Sequence, residues 1–280
     1  MSASRTFVIV GGGKMGEAIL SGWLSSNDEP ADAIGASDVT VVEPGEERRA
    51  FLHETYQVAC VGDVTSVEAA DVVVLAVKPQ VMMGVLESIA AAPAFQGGAT
   101  GPLFASIAAG LTTERIGAAL PDGAPLVRVM PNMPLMVGAG ASGVCGGANA
   151  SADQVRYVAD LFGCLGRAVV VDEAQMDAVC AVSGSGPAYV AAMVEALRDA
   201  GAAQGLDADL AEVLALQTVL GTARLIDETS LTPQTAREAV CSPGGTTLAA
   251  LDAMNAAGFA QVIDAGVAAA VKRSKELAQS

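Results

Sequence analysis

The sequence predicts an α/β protein in two parts: a doubly wound α/β domain over residues 1–172 and an all-α domain over residues 173–280. Three observations predict it. Short β-branched runs alternate with helical patterns through the first part, as parallel strands joined by crossover helices require. A glycine-rich turn follows the first of these runs directly. Beyond Asp172 every periodic segment has helical spacing.

The first run, Thr6–Val10, ends at Gly11-Gly12-Gly13-Lys14-Met15-Gly16, and Met15, Ile19, Leu20, Trp23 and Leu24 then fall on one helical face. Strand, glycine turn and helix in that order make a Rossmann-type dinucleotide fingerprint. Gly11 permits the turn, Gly13 lets the backbone approach a pyrophosphate, and Gly16 allows close helix–strand packing. Asn27–Asp38 reads as a loop, and Val39–Val42 is a second strand that ends on Glu43. An acid at that strand end accepts ribose hydroxyls and favours NAD. Arg48 and Arg49 lie just beyond, either as solvated charges or as partners for the 2′-phosphate of NADP.

Tyr56–Cys60 reads as a third strand and the fully apolar Val72–Val77 as a fourth, buried on both faces. The fourth stops at Lys78-Pro79-Gln80, at the carboxyl edge where open α/β sheets bind ligands, and Val81–Ala91 is helical. Leu103–Ile107 is another strand, and its successors Ala108, Ala109 and Gly110 are small enough to pass close to a nicotinamide. Val127–Met130 adds one more, the glycine-rich Val137–Cys145 suits a strand at the far edge, and Arg167–Val171 is the last short strand.

Helices are then expected over 174–182, 187–204, 209–228, 233–240, 246–257 and 259–277. Their alanine-rich and leucine-rich faces call for more burial than one copy of a domain this size supplies, so an oligomer built through this half is expected. Two small-residue loops interrupt the helices. In Val182–Val190 a Ser-Gly-Ser-Gly-Pro sequence reads as a tight loop opening a long helix, able to hold an anion or simply to form a packed junction. Ser242-Pro243-Gly244-Gly245-Thr246-Thr247 is the second.

Composition narrows the function. With 52% hydrophobic and 16% charged residues, a large core is expected and disorder is not. A net charge of −16 and only the lysines Lys14, Lys78, Lys272 and Lys275 exclude a basic nucleic-acid face or an anionic membrane surface as partner. The N-terminus lacks the regions of a signal peptide, and no apolar run reaches membrane-span length. The five cysteines are widely spaced in apolar surroundings, as small buried hydrophobes of a reducing compartment would be, so a cytoplasmic protein without a metal site is expected. The sole histidine, His53, reads as a surface helix residue. The second half thus offers neither a histidine nor, before Lys272, a lysine to take a hydroxyl proton. Serine, threonine and glycine loops at helix starts suit a carboxylate instead. Such equipment fits imine reduction, in which the substrate carries its own proton and needs chiefly to be positioned by a hydride donor.

Taken together, Gly11–Gly16, Ala76–Gln80, Ser106–Gly110, Arg128–Asn132, Ser183–Tyr189 and Ser242–Thr247 resemble one family across the whole chain, pyrroline-5-carboxylate reductase. The resemblance implies reduction of 1-pyrroline-5-carboxylate to L-proline with NADPH or NADH, the last step of proline synthesis. It implies a helical domain that interlocks two subunits, in some relatives within a decamer of five dimers. By that likeness Gly11, Gly12, Gly13, Lys14, Met15 and Gly16 hold the pyrophosphate, Glu43 lies by the adenosine ribose, and Asp63 stands where relatives often carry an asparagine near the cofactor. Ala76, Val77, Lys78, Pro79, Ile107, Ala108 and Ala109 line the nicotinamide side. Glu173, Ser242, Gly244, Gly245, Thr246 and Thr247 bind substrate, with Thr247 catalytic through a hydrogen bond to the ring nitrogen. Glu43 in place of a small polar or basic residue implies use of both cofactors. Other classes consistent with the two-domain plan are another imine reductase, a β-hydroxyacid-type dehydrogenase, or a nucleotide-binding regulator without catalysis.

Overall fold

The computed structural model describes residues 5–25 and 34–279; most of the loop expected over 27–38 lies outside them. The first part is a doubly wound layer structure around one eight-stranded sheet of order β3-β2-β1-β4-β5-β6-β7-β8. Its strands are β1 (Phe7–Val10), β2 (Val39–Val42), β3 (Ala59–Val61), β4 (Val72–Leu75), β5 (Leu103–Ser106), β6 (Leu126–Met130), β7 (Gly140–Gly146) and β8 (Gly166–Val170). β1 to β6 are parallel, β7 is antiparallel to β6, and β8 is parallel to β7.

Alternation along the buried strands splits the core by face. Ile9, Val41, Val74, Ala105 and Val129 meet one layer, formed by α1 (Lys14–Ser25), α2 (Glu46–Tyr56) and α5 (Ala152–Gly163). Val10, Val42, Val73, Leu75 and Phe104 meet the other, formed by α3 (Pro79–Ala91) and α4 (Thr113–Gly117). Trp23 is buried between α1 and α5, and its indole N–H donates to the Leu161 carbonyl at 2.8 Å. Burying an indole stays favourable only when that N–H is satisfied, so this bond fixes how the two helices pack.

Three expectations shift. Tyr56 and Gln57 do not open the third strand. Tyr56 ends α2, Gln57 takes φ +57° as its cap, and the strand is Ala59–Val61. The Tyr56 hydroxyl donates to Glu17 at 2.9 Å, a tertiary contact that outweighs the strand preference of an aromatic residue. The glycine-rich strand, Gly140–Gly146, is not at the edge: β8 lies outside it. Gly138 at φ +69° turns the chain back, and the Asn132 side chain accepts from the Ala141 N–H at 2.8 Å, which sets where β7 starts. Helix α5 went unread in the sequence although its signal is explicit. Ser151 and Gln154 form a capping box ahead of Val155, Val158, Leu161 and Phe162, all buried.

The remaining helices are α6 (Met176–Val179), α7 (Gly186–Ala203), α8 (Ala208–Glu228), α9 (Pro233–Ala239), α10 (Thr246–Ala256) and α11 (Phe259–Gln279). By compactness, residues 5–185 with 270–279 form one unit and 186–269 another. In the first, the last turns of α11 are tied down by Ser274, whose hydroxyl donates to Asp177 at 2.6 Å. In the second, Ala211, Ala215 and Ala236 are the only buried hydrophobic residues among those described. Val213 and Leu216 are 64% and 55% exposed. Among the described residues no single helix is long and apolar enough to cross a membrane; the bent pair α10 and α11 qualifies together, by length and composition only.

Within Val182–Val190 a long helix does open, as α7 at Gly186, but what precedes it is not a loop. Cys180–Gly184 forms a π-helical turn that carries α6 toward α7, closed by the Ser185 N–H donating to the Cys180 carbonyl at 2.8 Å. Pro187 has no N–H for the carbonyl four residues back, that of Ser183. Asn132 takes it instead, donating from Nδ2 at 3.0 Å. The same amide therefore holds the start of β7 and the π turn.

Candidate functional site

The glycine loop is built by close approach. Gly11 has φ +110°, and a β-carbon there would stand 2.7 Å from the Ala76 carbonyl oxygen. One at Gly16 would stand 2.0 Å from the Gly11 carbonyl oxygen, so only glycine lets α1 begin against the end of β1. Gly13 is exposed and has open space where a side chain would stand. The first N–H groups of a helix have no partner within it, so the start of α1 at Lys14 and Met15 offers donors to an anion.

Two further strand ends meet this loop. The Ala76 N–H donates to the Val10 carbonyl at 2.8 Å and the Ile107 N–H to the Leu75 carbonyl at 3.1 Å. These bonds bring Gly11, Ala76–Pro79 and Ile107–Ala109 to one carboxyl edge, where open sheets of this type take ligands. Lys78 is exposed and caps α3, with Pro79 in the first turn. Ala108 is buried, while Ile107 and Ala109 are half-buried.

Glu43 is engaged at both oxygens, accepting from the Gly12 N–H at 3.1 Å and the Gly45 N–H at 2.8 Å. Arg48 and Arg49, whose plainer reading was solvated charges, are both tied. Arg48 ion-pairs with Glu17 and donates from Nε to the Gly12 carbonyl at 2.6 Å. Arg49 donates to the carbonyls of Glu43 at 2.8 Å and Pro44 at 2.7 Å. Asp63 turns its carboxylate onto Thr65, and that hydroxyl and N–H hold its pKa below the ordinary value. His53 is exposed on α2, with Nδ1 2.9 Å from the Val58 carbonyl oxygen.

Glu173 follows β8 and does not present a free carboxylate. One oxygen pairs with Arg128, which is buried in β6, and the other accepts from the Cys145 thiol at 3.2 Å. Burial raises the Glu173 pKa, but the Arg128 charge and donors from Cys145, Thr113 and Arg128 outweigh it, leaving the group below its ordinary value. Burial and the neighbouring Glu173 push the Cys145 thiol up to about 12, so it is an inert thiol. None of the five cysteines forms a disulfide within the chain. A lone charge on a buried arginine is costly, which explains the position of Glu173 without a ligand.

Within the helical unit, Gly244 takes φ +69° and the Gly245 N–H donates to the Ser242 carbonyl at 2.9 Å, so the loop turns tightly onto the first residue of α10. Ser242, Gly244 and Thr246 are exposed; Gly245 and Thr247 are half-buried. Thr247 lines a cavity of about 280 Å³ with Thr222, Leu225, Arg237, Val240 and Leu251. An apolar wall with a few polar groups is what a small amphiphilic ligand needs. Sequence reading missed Glu17 and Tyr56 around the glycine loop, and gave Arg48 as a solvated charge or a 2′-phosphate partner and not as a support of Gly12, because their spacing carries no local signal; it also missed the Glu173–Arg128 pair, whose members are far apart in the chain.

Comparison with known proteins covers both parts. Residues 173–277 match the family model for pyrroline-5-carboxylate reductase dimerisation, and residues 6–98 match the one described as NADP oxidoreductase coenzyme F420-dependent. A pyrroline-5-carboxylate reductase of Synechocystis is 44% identical, covering 96% of this chain and 97% of that protein. The solved structure of the Coxiella burnetii pyrroline-5-carboxylate reductase superposes with a TM-score of 0.90 at 32% identity, over 99% of this chain and 100% of that one. That of the Plasmodium falciparum pyrroline carboxylate reductase, with NADP bound, gives 0.82 at 28% identity over 98% of each.

Proposed function

The chain belongs to the pyrroline-5-carboxylate reductase family, and from that premise we propose that it reduces 1-pyrroline-5-carboxylate to L-proline as an NAD(P)H-dependent oxidoreductase. The observation that carries this is the likeness over the full length, cofactor half and helical half alike. Bound NADPH or NADH supplies the hydride for the ring imine. The work divides at 172/173, with cofactor binding before it and substrate binding and self-association after it.

In the cofactor half, Gly11–Gly16 receives the pyrophosphate on backbone donors, with Lys14 and Met15 in the first turn. Glu43 stands at the adenosine ribose and Asp63 on the adenosine side. Ala76–Pro79 and Ile107–Ala109 wall the nicotinamide. Small residues there let the reacting carbon of a flat ring come near the hydride position, which is the geometric requirement of the step. In the helical half, Ser242, Gly244, Gly245 and Thr246 take the substrate carboxylate at the start of α10, where the peptide dipoles favour an anion. The Thr247 hydroxyl sits at the ring nitrogen, and the apolar wall of its cavity accepts the ring methylenes. Glu173 acts through Arg128 in shaping the β6–β7 region, since its carboxylate is occupied.

The exposed apolar faces of the helical unit support a dimer through these helices, with a decamer of five dimers as the larger assembly, acting in the cytoplasm. The direct test adds pyrroline-5-carboxylate to enzyme with NADPH or NADH and follows absorbance at the reduced-nicotinamide band, with L-proline identified as product. Failure of turnover with both cofactors would overturn the proposal.

A further inference from the structure

Gly12 is gripped through both of the peptide units that flank its Cα. Its N–H donates to Glu43 Oε2 at 3.1 Å, and its carbonyl accepts from Arg48 Nε at 2.6 Å. Arg48 is not free to leave: its guanidinium pairs with one oxygen of Glu17, while the other accepts from the Tyr56 hydroxyl at 2.9 Å. The Arg48 guanidinium carbon also lies 4.9 Å from the centre of the Phe51 ring. Glu43 is fixed in turn by the Gly45 N–H at 2.8 Å. These residues come from α1, the end of β2 and the length of α2 from its first turn to its last, so the grip ties the glycine loop to the next strand–helix unit.

We propose that Arg48 is a positioning residue for dinucleotide binding: it holds the Gly12 carbonyl, with Glu17 and Tyr56 holding Arg48, so that the donors of Gly13 and the first turn of α1 keep the geometry a pyrophosphate needs. The inference rests on the cofactor reading above. It assigns Arg48 to the part of the cofactor that NADH and NADPH share, not to the 2′-phosphate that distinguishes them. With the N–H of one flanking peptide and the C=O of the next both held, φ and ψ at Gly12 are fixed. Glycine loops otherwise have the freest backbone in a protein, and a fixed one loses less entropy when the ligand arrives. Lysine could not replace Arg48, because a single ammonium lacks the planar fork that reaches a carbonyl and a carboxylate together.

The test measures dinucleotide dissociation constants by the fluorescence of bound NADH and NADPH, without substrate, and then steady-state kinetics. Expected for Arg48→Ala and Arg48→Lys is a loss of on the order of tenfold in affinity, by the same factor for NADH and NADPH. KM for both dinucleotides rises and kcat stays within about twofold, since only binding is lost. Glu17→Gln, which keeps the shape but removes the charge, gives the same pattern with a smaller factor. A loss confined to NADPH would make Arg48 a 2′-phosphate ligand and overturn the proposal, as would unchanged affinity for both. A merely structural role predicts a fall in kcat along with thermal stability and no selective rise in KM, which would also overturn it. Because the binding arm needs no substrate, it still reads out if turnover of pyrroline-5-carboxylate fails.

Discussion

Two loops of small residues start helices in this protein, and they differ in what surrounds them. Gly11–Gly16 is finished within one chain: strand ends pack against it, Glu43 and Arg48 hold Gly12, and Glu17 and Tyr56 hold Arg48. Ser242–Thr247 is held by a turn of its own, stands largely exposed, and belongs to a unit whose buried hydrophobic residues are three alanines. A loop that binds a large, common cofactor can be preformed by its own fold. A loop in a unit with most of its leucines and valines exposed has no covering surface of its own, and under the proposed function self-association and substrate binding would meet there.

The largest effect expected on that contrast is on turnover. Thr247→Ala should lower kcat by about 100-fold to 1000-fold, the cost of one donor to charge or polarity developing at the reacting centre, with dinucleotide affinity unchanged. Unaffected turnover would remove Thr247 from the mechanism and leave the second loop a structural turn. Placing charge on the helical face tests the same region from outside. Val213→Asp with Leu216→Asp should dissociate the assembly in light scattering, because buried unpaired carboxylates oppose the contact; an unchanged mass would show that this face stays open.

Within the first unit, Glu173→Gln should cost about 2–3 kcal/mol in denaturant unfolding, reduced from the full cost of orphaning a buried charge because Glu173 is itself one-third exposed. No change in midpoint would make the Arg128 pair dispensable. Glu43→Ser should move the ratio of catalytic efficiencies toward NADPH by about tenfold, as a carboxylate no longer faces the 2′-phosphate. A wild-type enzyme that already uses NADPH alone would sink the argument from Glu43.

The smallest effect is in acid. Burial raises Glu17 and Glu173, but Arg48 and Tyr56 for the first, and Arg128, Cys145 and Thr113 for the second, outweigh it, so both folded-state values are depressed. Their contribution is fully present above the unfolded carboxylate value of about 4.3 and is lost as pH falls through the folded values. Stability should therefore decline below about pH 4, and Glu17→Gln should make that decline shallower. A titration that keeps its full slope in this variant would show that Glu17 contributes nothing to it.

Much of the fold was legible because its signals are local. The apolar Val72–Leu75, the glycine turn after Val10 and the helical periodicity beyond Asp172 each reflect a period or a turn that a short window contains. The errors fell where a distant residue decided. Tyr56 belongs to a helix because Glu17 accepts its hydroxyl. The segment beginning at Cys180 is a π turn, satisfied across the fold by Asn132, and not a loop. Of the site, the glycines were legible because only glycine fits at Gly11 and Gly16; their supports were not, since Arg48 and Glu17 carry no spacing that marks them as partners.

The sequence by itself determined the two-part plan and the nucleotide fingerprint, because steric limits on glycine and the periods of strand and helix are properties of neighbouring residues, and its motifs taken together carried the resemblance to the family. Only the tertiary structure decided which charges are free. Arg48, Arg49 and Glu173 looked like surface or ligand-facing groups in the chain, and folding brought each against a carbonyl, a carboxylate or a buried guanidinium that claims it. Such pairings depend on distances between elements far apart in sequence, and a buried or clamped charge is satisfied by whatever the packing of those elements brings to it.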